Sequence, residues 1–148
     1  MAAKFEIEGM DELENMVKEL GKLPQSCVTA AAKAGALIAL NSARQKAPGK
    51  PGGNLKKGII LKGEKKKVNG KKVYDIMMDP TMNDVFAKES NGKRYYYPAS
   101  QEFGFITRKG KKIPGKHFLR DALIDNKTEI ESATIKELED RIDKVMRG

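Results

Sequence analysis

Residues 95–123, YYYPASQEFGFITRKGKKIPGKHFLRDAL, decide how this chain is read. The aromatic run Tyr95-Tyr96-Tyr97 passes through Pro98 to Glu102-Phe103-Gly104. A basic loop with two glycines follows at 106–116, and Lys116-His117-Phe118-Leu119-Arg120 then opens onto a helical pattern. Tyr95–Phe103 reads as strand or short helix, because Pro98 interrupts either one. From about His117 or Phe118, Leu119, Ala122, Leu123, Ile130, Ala133, Leu138, Ile142 and Val145 mark one long C-terminal helix with an acidic outer face. No order of catalytic residues is present. The stretch reads as an element that pins a loop to a helix.

Upstream, Leu55–Lys66 and Lys71–Asp79 are strand-like, and Val68-Asn69-Gly70-Lys71 holds an Asn-Gly pair between them. Asn-Gly is the strongest short hairpin signal, since both turn residues need positive φ. In the second arm Tyr74, Ile76 and Met78 alternate with Val73, Asp75, Met77 and Asp79, and the Tyr74 face is the one expected to be buried. The stretch 80–94 is polar apart from Val85-Phe86 and is expected as a long excursion. Ala47–Asn54 (APGKPGGN) carries three glycines and two prolines, so it reads as a loop or arm.

Pro48 stops an Ala-rich helix that runs to about Lys46 from an N-cap at Ser26. Its small residues (Ala30, Ala31, Ala32, Ala34, Gly35, Ala36, Ala39) permit close approach to a sheet or to another helix. Before it, Lys4–Glu8 alternates as a short strand with Phe5 and Ile7 on one face. Met10, Leu13, Val17 and Leu20 then follow helical spacing, with Asp11, Glu12 and Glu14 in the first turn, where the helix dipole favours acids. The expected fold is α+β: a small antiparallel sheet with a β-hairpin, two N-terminal helices and one long C-terminal helix. It is a single domain over 1–148, with flexible loops at about 47–54, 80–94 and 106–116. Leu37, Ile38, Ile60, Ile76, Phe103, Phe118 and Leu119 are its expected core.

Composition narrows the function. At 148 residues with 39% hydrophobic and 33% charged content, the chain suits one water-soluble domain. The N-terminal MAAKFEIEGMDELE lacks the apolar segment of a signal peptide, and no apolar run is long enough to cross a bilayer. A single cysteine suits a reducing compartment. Charge is unevenly placed: Arg44–Lys72 holds eleven basic residues against Glu64 alone, so this segment is +10 while the rest of the chain is −1. Such separation suits nucleic acid or a head-to-tail contact between copies; the plainer reading is a solvated hairpin whose edge lysines discourage aggregation.

Sites for chemistry are sparse. Cys27 is the sole cysteine and His117 the sole histidine. A nucleophilic pair would need both together with an orienting third group, whereas Cys27 sits in an apolar helix start and His117 at a loop–helix junction. Two such side chains fall short of a tetrahedral zinc site. Glu102, surrounded by aromatic residues in sequence, is expected to form an ion pair with Arg120 or Arg94 that locks the loop. Gly49, Gly52 and Gly53 lack the Gly-Lys-Ser/Thr of a phosphate loop. No catalytic residue, cofactor or metal is therefore assigned, and an enzyme is not expected. No helix-turn-helix, zinc finger or stacking platform adds base readout to the lysines.

Four pieces in fixed order resemble a family of small tailed-bacteriophage proteins, the HK-type, gene-product-ten-like tail-completion or head–tail joining proteins, also described as minor tail components. They are GMDELENMVKELGKLP; ARQKAPGKPGGNLKKGI, similar to the family's Ala-Pro…Thr-Gly-Asn-Leu…Ser-Ile passage; YYYPASQEFGF, similar to its Tyr…Glu-Phe-Gly element; and KIPGKHFLRDAL, similar to Pro-Ala-Arg-Pro-Phe-Leu-Arg-Pro-Ala. Here Gly53 stands for the usual Thr, Lys116-His117 for Arg-Pro and Asp121 for a common Pro.

The resemblance implies a structural virion protein of a phage or prophage at the neck, where tail tube meets head connector. It would form a ring, often hexameric in such proteins, with a heterologous contact between neighbours, and the isolated protein would be either a ring or a monomer. Implied partners are copies of itself, tail tube and head connector proteins, with non-specific contact to packaged DNA and none to membrane. Its place would be the host bacterial cytoplasm during assembly and the virion neck or tail afterwards. Expected assembly or DNA contacts are Lys56, Lys57, Lys65, Lys66, Lys67, Lys71, Lys72, Arg108, Lys109, Lys111 and Lys112, together with the 80–94 excursion. The expected structural clamp is Glu102, Phe103, Gly104, Phe118, Leu119 and Arg120. The alternative is a basic DNA-associated protein that grips duplex backbone through its Lys-rich loops.

Overall fold

The computed structural model describes residues 2–5, 25–65 and 70–147, and its architecture is α+β. In chain order the elements are β1 (Ala2–Phe5), α1 (Gln25–Lys46), a short α2 (Asn54–Lys57), β2 (Ile59–Gly63), β3 (Tyr74–Met78), a 3₁₀ turn at Pro80–Met82, α3 (Asn83–Phe86), β4 (Ala87–Ser90), β5 (Lys93–Tyr96), α4 (Tyr97–Phe103), β6 (Gly104–Ile106), β7 (Lys112–Pro114), α5 (Phe118–Ile124) and α6 (Lys127–Arg147). The helix expected over Met10–Leu20 lies outside the described residues, as do Ile7 and Asn69.

The small residues of α1 serve both uses left open for them. Toward α6, Gly35 lets the two helices nearly touch: a Cβ there would run into the Thr134 hydroxyl and sit 3.1 Å from the Ile130 carbonyl oxygen. Thr134 is fully buried and donates its hydroxyl to that carbonyl at 2.7 Å, which satisfies the polar atom inside the helix pair. Cys27 and Ala31 meet Leu138 one turn away. Toward the sheet, Ala32, Ala36, Ala39, Leu40 and Ala43 join Ile59, Tyr74, Ile76 and Met78 in the main core. Helix α1 therefore packs against the sheet as well as against α5 and α6, and α5 also reaches β1.

The sheet is antiparallel with order β1-β3-β2, and Tyr74 of the central strand faces Phe5 on one side and Gly63 on the other. Tyr74, Ile76 and Met78 are buried, so the expected face of β3 is the inner one. In β2 the two-residue side-chain period gives the core position to Ile59; Ile60, expected inside, points to the other face and is half-buried. The first arm is shorter than expected, because Leu55 lies in α2 instead of in a strand. Gln25, at the start of α1, holds the far end of this hairpin: its amide donates to the Lys71 carbonyl (2.9 Å), and its oxygen accepts from the Gly70 N–H (2.8 Å).

Three further expectations need correction. Leu37 is 40% exposed, since its helical position falls outside both buried stripes of α1. The 80–94 stretch is no irregular excursion: after the 3₁₀ turn and α3 it forms the β4–β5 hairpin, with Asn91 (φ 56°) and Gly92 (φ 73°) in the turn. That is the same Asn-Gly signal as at Asn69-Gly70. The long C-terminal helix is present as expected, but it starts at Lys127: the turns expected to open it form the separate short α5, and the two are broken apart at Asp125-Asn126. There the Asn126 amide donates to the Ala122 carbonyl (2.9 Å) and to Ser42 Oγ (2.8 Å), while Lys46 pairs with Asp125 at 2.8 Å. The break thus fastens the α5–α6 junction to the end of α1. The hydrogen bond to Asp125 raises the Lys46 amine above its ordinary pKa, while desolvation opposes this.

Phe86 is the residue that makes the 80–94 segment part of the core. Its ring is buried edge-on to Tyr96 (centroids 6.1 Å apart, 86° between planes) and lies so close to Gly58 that a Cβ there would collide with it. Phe86→Ala is expected to lower the unfolding free energy by about 3–5 kcal/mol, read from the midpoint of a urea titration; a loss under about 1 kcal/mol would contradict this placement.

Candidate assembly surface and its clamp

The region 95–123 folds into a clamp with a hairpin projecting from it. Helix α4 begins with Pro98 in its first turn, where a missing N–H costs nothing, and ends at Gly104. Gly104 has φ 84° and ψ 178°, a conformation reserved almost wholly for glycine. The chain then forms the β6–β7 hairpin, pairing Phe105 with Ile113 and Ile106 with Lys112. Its turn is closed by Thr107: the backbone N–H donates to the Lys111 carbonyl (2.8 Å), the carbonyl accepts from the Gly110 N–H (2.9 Å), and the hydroxyl accepts from the Lys111 N–H (3.1 Å). The 106–116 segment, expected as an open loop, is therefore an ordered two-stranded ribbon.

At its base the ribbon returns to α4. The Lys116 N–H donates to the Gln101 carbonyl (2.7 Å) and the His117 N–H to the Glu102 carbonyl (3.1 Å). Gly104 and Gly115 permit this crossing, because a Cβ on Gly104 would overlap the Ile113 carbonyl oxygen and one on Gly115 the Glu102 carbonyl oxygen. His117 precedes α5 with φ 48° and ψ 38°. Its backbone, rather than its ring, makes the junction. A proline at this position would have no N–H to give and a φ fixed near −65°, so it could not make this junction.

Glu102 completes the clamp with different chemistry from that expected. The residue is 3% exposed, and its carboxylate accepts from two backbone N–H groups in the first turn of α5, Leu119 at 2.9 Å and Arg120 at 3.2 Å. These donors have no partner within their own helix, and their dipoles favour an anion. The expected ion pair is absent: the Arg120 guanidinium turns to Asp121 (3.0 Å), and Arg94 sits across the β4–β5 ribbon from Glu89. A helix start supplies two fixed donors without desolvating a guanidinium, which is why it prevails here. Phe118 and Leu119 are buried beneath this capped turn, but Phe103 is 66% exposed and is not part of the lock.

The expected basic contacts divide into two kinds. Lys56 is committed internally, donating to the Arg44 and Gln45 carbonyls at the C-terminus of α1 (3.1 and 3.4 Å), where a cation is favourable. Arg44 itself donates to the Ile59 carbonyl through Nε (3.1 Å) and Nη2 (2.8 Å). Lys72 donates to the Glu64 carbonyl (3.0 Å) and lies 5.4 Å from the centre of the Tyr74 ring, whose phenol pKa burial raises. Lys57, Lys65 and Lys71 are exposed; Lys66 and Lys67 lie outside the described residues. By contrast, Arg108, Lys109, Lys111 and Lys112 all project at the end of the β6–β7 ribbon. The basic charge that looked densest at Arg44–Lys72 is thus partly spent inside the fold, and the ribbon carries a further exposed cluster.

Cys27 is buried between α1 and α6, remote from any use as an accessible nucleophile. Among the described residues no group of three His, Cys, Asp or Glu side chains is placed to hold a metal ion, and no helix is long and apolar enough to cross a membrane. A hollow lined by Leu55, Val85, Phe86 and Tyr97 has a volume of about 200 Å³, below the range of ordinary ligand pockets. Comparison with protein-family models, curated proteins and solved structures returned no match to the chain.

Proposed function

We propose that this protein is a non-enzymatic structural component of a tailed-phage or prophage virion, which completes the tail or joins it to the head connector as a ring. The observation that carries this reading is the ordered set of four family-like segments, two of which, around Glu102-Phe103-Gly104 and Phe118-Leu119-Arg120, meet in one clamp. A clamp of this kind gives a protruding ribbon a fixed direction, which suits a part whose work is to meet another subunit. The exposed cluster on that ribbon is also the specific observation in favour of the alternative, sequence-blind binding of duplex backbone.

Electron microscopy of the protein mixed with a tail tube protein from the same genome tests the reading. Rings seated on the end of the tube are expected. Bare tube ends, with the protein instead retained by duplex DNA in a salt-sensitive manner, would favour the alternative.

A further inference from the structure

The β6–β7 ribbon presents apolar and cationic groups together. Phe103 is 66% and Ile106 71% exposed, and Phe105 beside them is also open to solvent. Arg108, Lys109, Lys111 and Lys112 project from the same ribbon, and no acidic residue occurs between Phe103 and Arg120. A two-stranded ribbon is marginal in water without a third surface. This one is nevertheless anchored at its base by the Gln101–Lys116 and Glu102–His117 backbone bonds. Such a surface calls for a partner that is both apolar and anionic.

The chain itself carries one. Along α6, Ile135, Val145 and Met146 are exposed, Met146 to 70%, with Ile142 half-buried among them. Glu139 lies one helical turn from both Ile135 and Ile142, Asp143 one turn from Glu139 and Met146, and both acids are exposed. We propose that the β6–β7 ribbon of one copy seats on the Ile135–Met146 side of α6 in a second copy, with Phe103 and Ile106 on the apolar stripe and the lysines, Lys112 across from Ile106 among them, against Glu139 and Asp143. Two different surfaces meet, so the contact is heterologous and repeats around a ring. This inference rests on the ring-forming reading above and specifies which faces touch. Duplex DNA would leave the exposed Phe103 and Ile106 unused, and an anionic membrane would leave the α6 stripe unused.

The test uses the full chain, mixed in equal parts with an isotope-labelled copy at low salt. A carbodiimide then joins lysine amines directly to carboxylates, and the links are read by mass spectrometry. Mixed-isotope links from Lys109, Lys111 or Lys112 to Glu139 or Asp143 are expected. In parallel, a chain with Lys109→Glu and Lys111→Glu, and another with Glu139→Lys and Asp143→Lys, should each self-associate at least about tenfold more weakly in sedimentation, because like charges then face each other. A chain carrying all four changes should regain association. All four positions are exposed, so folding is expected to survive, with circular dichroism as the check.

Links confined to one isotope, or swapped chains that associate as the parent does, would overturn the inference. So would a parent chain that never self-associates, with or without tail tube, or a ribbon that binds duplex DNA or phosphatidylserine vesicles without linking copies. Rings that persist unchanged in the swapped chains overturn the interface alone. A gene deletion that leaves virions normal overturns the virion reading whatever the links show.

Discussion

Gly104→Ala is expected to lower the melting temperature by roughly 10 °C. Two penalties coincide there. The backbone at φ 84° and ψ 178° is almost closed to residues with a Cβ, at about 1–3 kcal/mol. The new Cβ would also overlap the Ile113 carbonyl oxygen and crowd the backbone of Pro114 and Gly115, and those atoms cannot rotate away. A combined loss of about 3 kcal/mol or more corresponds to that shift for a domain of this size. Gly110→Ala is the matched control. It too has positive φ (79°), but nothing lies within 4 Å of its Cβ position, so only the backbone penalty of about 1 kcal/mol applies. Calorimetry of the two variants separates the terms: equal melting temperatures would mean that the ribbon does not cross α4 as described.

The second large effect concerns Glu102. Glu102→Ala is expected to lower the unfolding free energy by about 2–4 kcal/mol, since it leaves the N–H groups of Leu119 and Arg120 without an acceptor at a buried helix start. Glu102→Gln keeps one acceptor oxygen and should lose about half as much. Arg120→Ala should stay within about 0.5 kcal/mol, because its guanidinium meets only the exposed side of Asp121. Urea titration of the three variants tests the order. If Arg120→Ala were as damaging as Glu102→Ala, the carboxylate would be held by the side chain instead of by the backbone.

The contrast between Glu102 and Arg120 shows what the sequence could and could not supply. Burial of Glu102 was legible, because aromatic residues crowd it in sequence. Its partner was not, since a helix start offers donors that no residue letter records. Helix α1 was legible from its alanine density and Pro48, and the inner face of β3 from strict alternation. Asn91-Gly92 and Asp125-Asn126 carried readable signals of a turn and a helix break, but each lies in a polar stretch where hydrophobic periodicity is silent. The β6–β7 ribbon has three residues per strand, too few for any period to register. Phe86 looked weak because its core contacts come from β5 and from Gly58, both distant in sequence. Leu37 and Phe103 show the reverse failure: apolar letters suggested burial, and the helical phase placed both side chains outside. The exposure of Phe103 is what turned a supposed lock residue into part of a contact surface.

If the protein joins or completes the tail of a phage particle, deleting its gene and imaging the particles made after induction should reveal it. DNA-filled heads beside tails that fail to join, or tails of uncontrolled length, are expected, with joining restored when the intact gene is supplied in trans. Normal, infectious virions from the deletion strain would contradict it.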